Sequence, residues 1–425
     1  MNAIKNSLSA KVFLGLVFGL ILGSMIQYVI PPTWAVASFT TEAAGGLGGM
    51  FVSMIKLIVV PLVFISITCG ICELKDLSSF GRLGTKTFSF YIINTIVAIA
   101  GTLAIVTWLQ PGVGVNLGAH AESVTLAATE TPNMWQMVIN IIPSNPFQAF
   151  AEGDMLQIIF MAIMTGIAIQ ALDKRGGPAI RTFKMANEVM MKLITLVMSL
   201  APYGVFFLMI SLGATLDTTK MFAVAGYIAL VVSMFIFMFM VVYPVVVYLA
   251  TGIKPLTFIK HIREQIMFSL SSASSNATIP VTMRTVTEKL GVSKGVAGFG
   301  VPLGATMNMS GAAIYTTIAV IFVANAYGMP MTADQMLPLA FTVLLLSIGA
   351  GGVPGGGIVS IGICLHTFGL PIEALAIVAA VDRICDMFCT TANVVGDTAI
   401  NTIVAKSEGE IEIPVQGQLA TARVA

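Results

Sequence analysis

The side chains best suited to bind ions or polar molecules lie in one apolar stretch, residues 379–406, AAVDRICDMFCTTANVVGDTAINTIVAK. A helix over this stretch places its polar members within an arc of about 100°; they are Asp382, Asp386, Cys389, Thr390, Asn393 and Asp397. Charge at a bilayer centre is costly, so charged residues there usually face a protected interior and mark a pathway. We interpret this polar face as one wall of a binding site.

The composition indicates the medium in which this helix folds. Hydrophobic residues make up 57% of the 425 residues and charged residues only 10%, with a mean hydropathy of +0.94. Charged residues alone make up about 25% of soluble domains, so the chain is predicted to be an all-α polytopic membrane protein. The formal net charge of +1 and the absence of a basic, aromatic-rich patch argue against nucleic acid as a partner.

The polar residues of this helix fit a protease active site or a metal site less well than a binding site. An intramembrane aspartyl protease needs opposed carboxylates on different helices, whereas Asp382 and Asp386 lie on one helix, so we do not expect an enzyme. Cys385 and Cys389 are one turn apart, but no histidine is near to complete a soft-metal site. Buried thiols are the simpler interpretation of these cysteines.

Charge at the ends of the apolar segments predicts the topology. In the first half the apolar segments lie at about 11–30, 46–72, 84–109, 134–172, 179–212 and 221–250. Lys and Arg cluster before the first segment and after the second, fourth and sixth, while loops 31–45 and 110–133 contain neither. The positive-inside rule therefore places the N-terminus in the cytoplasm and predicts six crossings. Lys56, inside the second segment, is expected to snorkel or to pack against a partner.

The second half contains two polar interruptions of inverted orientation. Residues 257–290 hold SLSSASSNATIP between arms too short to cross a bilayer singly, with cations at both outer ends. Residues 332–370 repeat the design with SIGAGGVPGGG, but neither end carries Lys or Arg. Each hairpin is followed by a helix with polar residues inside it. After the first hairpin these are residues 304–311, and after the second they are the polar face of the helix described above. Inverted pairs of this kind place a substrate site at the midplane of secondary transporters.

Several motifs give the chain a specific resemblance to a known family. They are IIPSNPFQAFAEGDMLQIIFMAI at 141–163, SSNATIPVTMR at 274–284, PLGATMNMSGA at 302–312, SIGAGGVPGGG at 347–357 and the helix of the polar face. In this order they resemble the dicarboxylate/amino acid:cation symporters, which include archaeal aspartate transporters, excitatory amino acid transporters and neutral amino acid exchangers. The resemblance implies eight transmembrane helices plus two re-entrant hairpins.

The same resemblance implies an assembly and a division into domains. The expected protein is a homotrimer in the plasma (inner) membrane with both termini in the cytoplasm, working by an elevator mechanism. Residues 1–80 and 130–215 would form a static scaffold. Residues 81–112 and 216–407 would form the moving transport domain, and residues 408–425 a cytoplasmic tail.

The resemblance also implies the site residues. Asp386 would receive the α-ammonium of the substrate and Asn393 its α-carboxylate. The expected substrate site comprises Ser274, Ser275, Ala312, Val353, Gly357, Asp386, Cys389, Thr390 and Asn393. The expected sites for co-transported Na⁺ are Gly304, Asn308, Asn393 and Asp397 for the first, and Thr306, Ser347, Ile348 and Ala350 for the second. Oxygen ligands of this kind suit a small hard cation.

A third Na⁺ site is doubtful. Its matching residues are Tyr91, Asn94, Thr95, Asn308 and Ser310, but the family motif NMDG reads NMSG here and the carboxylate is missing. Loss of the only anion should weaken Na⁺ binding by several kcal/mol in a low-dielectric site. Thr316 stands near the position of a glutamate in potassium-coupled members, so proton/potassium exchange by that route is not expected.

Departures from the family pattern bear on the substrate. Acidic-substrate members place an arginine where this chain has Cys389, a threonine at Ala312 and, in some, an arginine at Ala273. We therefore expect sodium-coupled transport of small neutral amino acids such as serine, alanine, cysteine and threonine. Arg383, at the margin of the polar face, leaves an alternative: Na⁺- or H⁺-coupled uptake of acidic amino acids or C4-dicarboxylates, with Arg383 reading the charge. A different class, an anion-conducting channel, also stays open because some relatives pass anions.

Overall fold

The computed structural model describes residues 8–29, 35–79, 81–115, 139, 141–215, 218–349 and 355–411. Within these ranges nearly every residue is helical, and no strand occurs apart from an isolated bridge between Val292 and Ile411. The predicted all-α class is confirmed. In a membrane a helix satisfies its backbone hydrogen bonds internally, which explains why so apolar a chain folds this way.

The helices follow in chain order. The first half contains α1 Leu8–Tyr28, α2 Ala35–Ser79, α3 Gly81–Leu109, α4 Pro146–Glu152, α5 Met155–Ala171, α6 Gly177–Ser199 and α7 Ala201–Thr215. The second half contains α8 Thr218–Phe237, α9 Tyr243–Thr251, α10 Pro255–Ser272, α11 Ser275–Arg284, α12 Lys294–Met307, α13 Ser310–Ala326, α14 Ala333–Gly349, α15 Gly356–Thr367 and α16 Leu375–Glu408. π-Helical turns Met238–Val242 and Thr285–Lys289 follow α8 and α11, and 3₁₀ turns Asp173–Gly176 and Ile372–Ala374 precede α6 and α16.

Local sequence signals set the ends of α4 and the start of α5. The Asn145 side chain accepts a hydrogen bond from the Phe147 amide at 3.0 Å, and Pro146 stands at the first turn of α4. Gly153 ends α4 at φ 72°, a left-handed conformation that glycine adopts without strain. Asp154 then caps α5 through the Gln157 amide at 3.4 Å. This part of the 141–163 motif therefore ends α4 and begins α5 within two residues.

Three helical stretches in the described ranges are long and apolar enough to cross a membrane. They are Gly81–Leu109, Lys220–Thr251 and Lys294–Ala326. A fourth candidate is the pair Gly177–Val197 and Ala201–Ala214, which is bent by 50°. The shorter apolar helices include 157–171, 333–348 and 356–367. The expected total of eight spans stays a prediction.

The serine-rich interruption forms a sharp turn between α10 and α11. Ala273 adopts φ 48°, the left-handed region, and Ser274 caps α11 by accepting from the Ala277 amide at 3.3 Å. The two helices pack against each other, so the segment is a helical hairpin. Its expected counterpart is formed by α14 and α15, which also pack together, although the tip at 350–354 lies outside the described residues. The re-entrant path of both hairpins stays a prediction.

The predicted interruption at 304–311 is a break between α12 and α13. Asn308 and Met309 leave the helical conformation, at φ −96° ψ 68° and φ −95° ψ 45°, and α13 restarts at Ser310. A break exposes backbone carbonyl and amide groups, which a membrane interior tolerates only where they line a site or find partners. The break lies beside α16, because α12 and α13 both pack on that helix.

The helices form two packing groups. In one group α2 contacts α5, α6 and α7, and α1 lies along α7. In the other, α16 is surrounded by α8, α9, α10, α12, α13 and α15, and α3 packs on α13. The two groups also touch, because α16 contacts α1, α2 and α7, and the expected division into scaffold and transport domain stays a prediction.

Close contact between α1 and α7 depends on glycines spaced one turn apart. A Cβ added at Gly15, Gly19 or Gly23 would meet a backbone carbonyl oxygen of α7, from Pro202, Phe206 or Ile210 respectively. Small residues at this spacing let membrane helices approach closely and associate by packing.

Gly19→Ala is expected to destabilise the protein by about 1–3 kcal/mol, because the new methyl group overpacks this contact. An added Cβ would also lie 2.9 Å from the Met209 Cβ. The matched control is Gly226→Ala on α8, where an added Cβ meets nothing within 4 Å. Thermal unfolding of the detergent-purified proteins measures both. Equal melting temperatures for the two variants would contradict this account of the α1–α7 contact.

Candidate functional site

The polar face of α16 is buried over its whole length. Asp382, Asp386 and Asp397 are 2%, 4% and 1% exposed, and Cys389, Thr390 and Asn393 are buried with them. The hydrophobic residues of neighbouring helices enclose this face, so the carboxylates lie in a protein interior and not against lipid. The sequence prediction that these polar residues share a protected face is confirmed as geometry.

Asp397 ends a chain of hydrogen bonds that joins four helices, α3, α9, α13 and α16, through Asn308 at the helix break. Its Oδ1 accepts from Asn308 Nδ2 at 2.8 Å, and Asn308 Oδ1 accepts from Asn94 Nδ2 at 2.9 Å. The Asn94 amide also lies 3.4 Å from the Tyr243 hydroxyl, which is 2.9 Å from Ser310 Oγ. The helix break thus places the Asn308 amide nitrogen against the Asp397 carboxylate and the Asn308 amide oxygen toward Asn94. The Ser310 hydroxyl joins the same chain through Tyr243. The chain contains carboxylate, amide and hydroxyl oxygens. These are hard oxygen ligands of the type that Na⁺ requires.

Gly304 makes the approach of α12 to this carboxylate possible. A Cβ at Gly304 would lie 2.5 Å from Asp397 Oδ1 and 2.6 Å from the Tyr91 hydroxyl. Tyr91 donates to the Gly300 carbonyl at 2.8 Å and accepts from Asn401 Nδ2 at 2.8 Å. The backbone of α12 and the side chains of α3 and α16 therefore meet around Asp397 without a space-filling side chain between them.

The residues of the first expected Na⁺ site meet in space. Gly304 and Asn308 adjoin Asp397, and Asn393 lies one turn away on α16. Of the doubtful third site, Tyr91, Asn94, Asn308 and Ser310 belong to the same hydrogen-bond cluster, whereas the Thr95 hydroxyl donates to the Tyr91 carbonyl at 3.1 Å within its own helix. The two expected sites therefore form one continuous polar cluster.

The second expected Na⁺ site is described only in part. The Thr306 hydroxyl donates to the Leu303 carbonyl at 2.9 Å and the Ser347 hydroxyl to the Leu344 carbonyl at 2.7 Å, each within its own helix. The helices that carry them, α12 and α14, pack together, and Ile348 follows Ser347. Ala350 lies outside the described residues.

The expected substrate residues converge from three directions. Asn393 Oδ1 accepts from the Gly311 amide at 2.7 Å, at the start of α13 where Ala312 is also buried. Asp386 Oδ2 accepts from the Gly355 amide at 3.2 Å, which brings the start of α15, including Gly357, to the polar face. Val353, in the tip before it, lies outside the described residues.

The tip of the α10–α11 hairpin is the third direction. Ser275 is buried there, next to the capping residue Ser274, and both hairpin helices contact α16. Ser269 Oγ lies 3.0 Å from Thr391 Oγ1, so the last turn of α10 is held against α16 just beyond Thr390.

Sequence reasoning missed three buried polar residues that hold this arrangement together. Gln265 Nε2 donates to Thr282 Oγ1, the Val394 carbonyl and Thr398 Oγ1 at 3.0, 3.1 and 2.7 Å. Asn401 contacts Tyr91, and Tyr243 contacts Ser310. The position of Asn401 one turn beyond Asp397 was a usable signal. Gln265 stands in a charged flank and Tyr243 in an apolar run, so neither is distinctive in the sequence.

Arg383 lies beside the expected substrate residues. It is 6% exposed, and its Nη1 is 3.9 Å from Asp386 Oδ2. Among the described residues, the buried charged side chains are Asp382, Arg383, Asp386 and Asp397. Asp382 and Asp386 therefore share one guanidinium, Asp397 has no buried cation beside it among the described residues, and the low-dielectric interior favours further positive charge. Such a site suits ammonium groups and small cations, and its place between helix breaks is typical of secondary transporters.

Comparison with known proteins gives the same class. Residues 8–407 match the profile of the sodium:dicarboxylate symporter family. The chain is 33% identical over 414 residues to a proton/sodium-glutamate symport protein of Bacillus caldotenax, with 96% of each chain covered. It is 31% identical over 422 residues to the proton/glutamate-aspartate symporter of Escherichia coli (strain K12), covering 97% of this chain and 95% of the relative. A C4-dicarboxylate transport protein of Anaeromyxobacter sp. (strain K) is 30% identical over 416 residues, with 95% and 91% covered.

The chain therefore belongs to the sodium:dicarboxylate symporter family. The resemblance expected from the motifs is confirmed. The protein is a membrane-embedded transporter and not an enzyme.

Gly304→Ala is expected to weaken cation binding at least about tenfold, equivalent to about 1.4 kcal/mol. The added methyl would displace the Asp397 carboxylate from its position 2.5 Å away. Gly298→Ala on the same helix is the matched control, because a Cβ there meets nothing within 4 Å. The measurement is the Na⁺ concentration that half-maximally raises the melting temperature of each purified protein. Identical Na⁺ titrations of the two variants would remove Gly304 from the cation site.

Proposed function

We propose that the protein couples the uptake of acidic amino acids, of the glutamate and aspartate type, to the entry of Na⁺ or H⁺. The observation that carries the proposal is the buried pair of Arg383 and Asp386, 3.9 Å apart. Asp386 is positioned to receive a substrate ammonium, and Arg383 supplies positive charge for a second carboxylate. The names of the three relatives, which refer to glutamate, aspartate and C4-dicarboxylates, support an anionic substrate.

The chemistry of Arg383 supports this role. A guanidinium has five N–H donors in a planar fork that matches a carboxylate, and it stays charged when buried. Arg383 and Asp386 are three residues apart, a rise of about 4.5 Å along the helix. An aspartate or glutamate whose ammonium contacts Asp386 spans that distance with its side chain. We prefer this interpretation to the expected preference for neutral amino acids, which depended on Cys389, Ala312 and Ala273.

Cation coupling follows from the charge of the site. An acidic amino acid adds a net negative charge to an interior that already holds three carboxylates and one guanidinium, and burying such an excess is strongly unfavourable. Cations that enter with the substrate remove that cost. The proposed Na⁺ ligands are the cluster of Gly304, Asn308, Asn393 and Asp397, and the partly described set of Thr306, Ser347, Ile348 and Ala350. We also propose that the protein is a homotrimer, that it works by an elevator movement of the transport domain, and that both termini lie in the cytoplasm.

The test is uptake of radiolabelled L-aspartate into proteoliposomes under Na⁺ and pH gradients, with glutamate, succinate and serine as competitors. Saturable, gradient-dependent uptake that glutamate inhibits and serine does not is the expected result. Inhibition by serine alone would overturn the acidic assignment. Conductance without saturable uptake would indicate a channel.

Arg383→Gln is expected to raise the half-saturating aspartate concentration about 10–100-fold, because a charge-assisted hydrogen bond is worth about 1.5–3 kcal/mol. Arg263→Gln, at an exposed position on α10, is the matched control and should leave the concentration unchanged. Calorimetric titration of aspartate into each purified variant gives the comparison. An unchanged affinity in Arg383→Gln would remove this side chain from substrate recognition.

A second candidate function, transport of small neutral amino acids, is favoured by Cys389. Cys389 is 3% exposed, and its Sγ lies 4.0 Å from Asn393 Nδ2. By the motif resemblance, it occupies the position at which acidic-substrate members of the family have an arginine. Ala312 is buried nearby and offers no polar group to a substrate carboxylate.

Cys389→Arg separates the two candidates. If the wild type transports neutral amino acids, the guanidinium of the variant forms an ion pair with bound aspartate but has no partner in bound serine. The substrate preference should then reverse, from serine in the wild type to aspartate in the variant. If Arg383 reads an acidic substrate, the wild type already prefers aspartate and no reversal occurs. Competition uptake with both amino acids, with Cys389→Ser as the size-matched control, measures the preference. A wild type that takes up serine and excludes aspartate would establish the neutral function.

A further inference from the structure

A buried group of hydroxyl and carboxyl side chains lies near the N-terminal end of the polar face, outside the proposed Na⁺ clusters. Asp382 of α16, Tyr227 of α8 and Tyr315 of α13 are 2%, 1% and 0% exposed. Tyr315 faces both Asp382 and Tyr227, and Cys385 adjoins them. Within the described part of the chain, Asp382 Oδ1 and the two tyrosine hydroxyls form no hydrogen bond with standard geometry. Such buried polar atoms are rare in native structures and call for an explanation.

The charges around Asp382 do not balance an ionised carboxylate there. The charged groups that face it are Asp386 and Arg383 on its own helix, and the other titratable groups are Cys385, Tyr227 and Tyr315. Arg383 makes an ion pair with Asp386, which also accepts the Gly355 amide. Two neighbouring carboxylates that share one guanidinium are not both favoured in the charged form. A proton on one of them removes the excess charge.

Of the two carboxylates, Asp382 is the better suited to hold that proton. Asp386 has the closer cation and a backbone donor, which stabilise its charged form. Asp382 faces the Tyr315 hydroxyl, and a hydroxyl serves either as an acceptor from a carboxylic acid or as a donor to a carboxylate. A small rotation of Tyr315 therefore provides a hydrogen bond to either protonation state, and Tyr227 lies next to the Tyr315 hydroxyl.

The start of α15 lies against the buried Asp382. A Cβ added at Gly357 would lie 2.7 Å from the Tyr315 ring and 4.0 Å from Asp382 Oδ1. The same helix start donates the Gly355 amide to Asp386. The first turn of α15 therefore covers both carboxylates, and its displacement would open both to water together.

We propose that Asp382 is a proton-binding site through which one proton accompanies each substrate molecule. The carboxylate takes a proton from water when α15 opens to the outside and returns it to water on the cytoplasmic side; an O–H bond forms and then breaks, and no other bond changes. The inference rests on the proposed acidic amino acid symport and names the carrier of H⁺ in it. Tyr315 acts as the hydrogen-bonding partner of the carboxyl group, and Tyr227 as the partner of Tyr315.

The test uses proteoliposomes that contain a lumenal pH dye, with Na⁺ equal on both sides and the membrane potential clamped. L-Aspartate added outside should acidify the lumen with wild-type protein. Asp382→Asn, which mimics the protonated side chain in shape, should still exchange internal for external labelled aspartate, but acidification should fall to the leak rate. Asp334→Asn, at an exposed position on α14, is the matched control and should behave as wild type.

Two outcomes of this experiment overturn the proton site. One is equal acidification by Asp382→Asn and wild type. The other is aspartate uptake by wild type without any acidification. Absence of aspartate uptake and exchange in the wild type would instead overturn the proposed substrate, and a measurement without substrate then decides on the proton site.

That second measurement is the infrared spectrum of the purified, ligand-free protein. A protonated carboxyl group gives a carbonyl stretching band that a carboxylate lacks, so the band assigned to Asp382 should grow in the wild type as the pH is lowered, disappear as the pH is raised, and be absent from Asp382→Asn at every pH. Tyr315→Phe should keep the band but move its position, because the carboxyl group loses the hydroxyl that faces it. Identical spectra for wild type and Asp382→Asn would show that Asp382 carries no proton and would overturn the inference. If Asp382→Asn fails to fold, the position of the band in Tyr315→Phe takes its place as the deciding result, and an unmoved band overturns the inference.

Discussion

Charge buried on α16 is the constraint on which the rest of the structure depends. Three carboxylates lie at most 4% exposed in a chain of which only 10% of the residues are charged. The cost of such burial is lowered only by hydrogen-bond donors, by Arg383, or by cations and ammonium groups that arrive from water. Two features of the fold supply the fixed part of this compensation: the break between α12 and α13, and the start of α15.

The break and the glycines act together to bring polar groups close to the carboxylates. Asn308 reaches Asp397 because α12 ends at Met307, and Gly304 leaves the space between α12 and α16 free of side-chain atoms. On the other side, the Gly311 amide binds Asn393 where α13 begins. A continuous helix in place of α12 and α13 would use the Gly311 amide internally and would leave Asn393 Oδ1 without this donor.

Much of this arrangement was predictable from the sequence, because the helical period of the polar residues and the cost of burying a charged side chain can both be judged from one segment alone. The buried polar face, the break at 304–311 and the turn at Ala273–Ser274 all follow from residue types and spacing. The contact between Asn94 and Asn308 was predictable only through family resemblance, because it joins distant parts of the chain. Gln265 and Tyr243 were not predictable, since one polar residue in a charged flank or an apolar run carries no positional signal. Residue type alone does not decide the substrate: Cys389 favours a neutral one, while the burial of Arg383 beside Asp386, which favours an acidic one, is a tertiary property.

The central claim is that cations neutralise the buried carboxylates when the substrate binds. The most direct test is calorimetric titration of L-aspartate into the purified wild-type protein at a series of Na⁺ concentrations, repeated at two pH values. The account predicts that aspartate affinity rises steeply as Na⁺ or H⁺ concentration increases, because each bound cation removes part of the charge excess. An aspartate affinity that is the same at every Na⁺ concentration and at both pH values would contradict it.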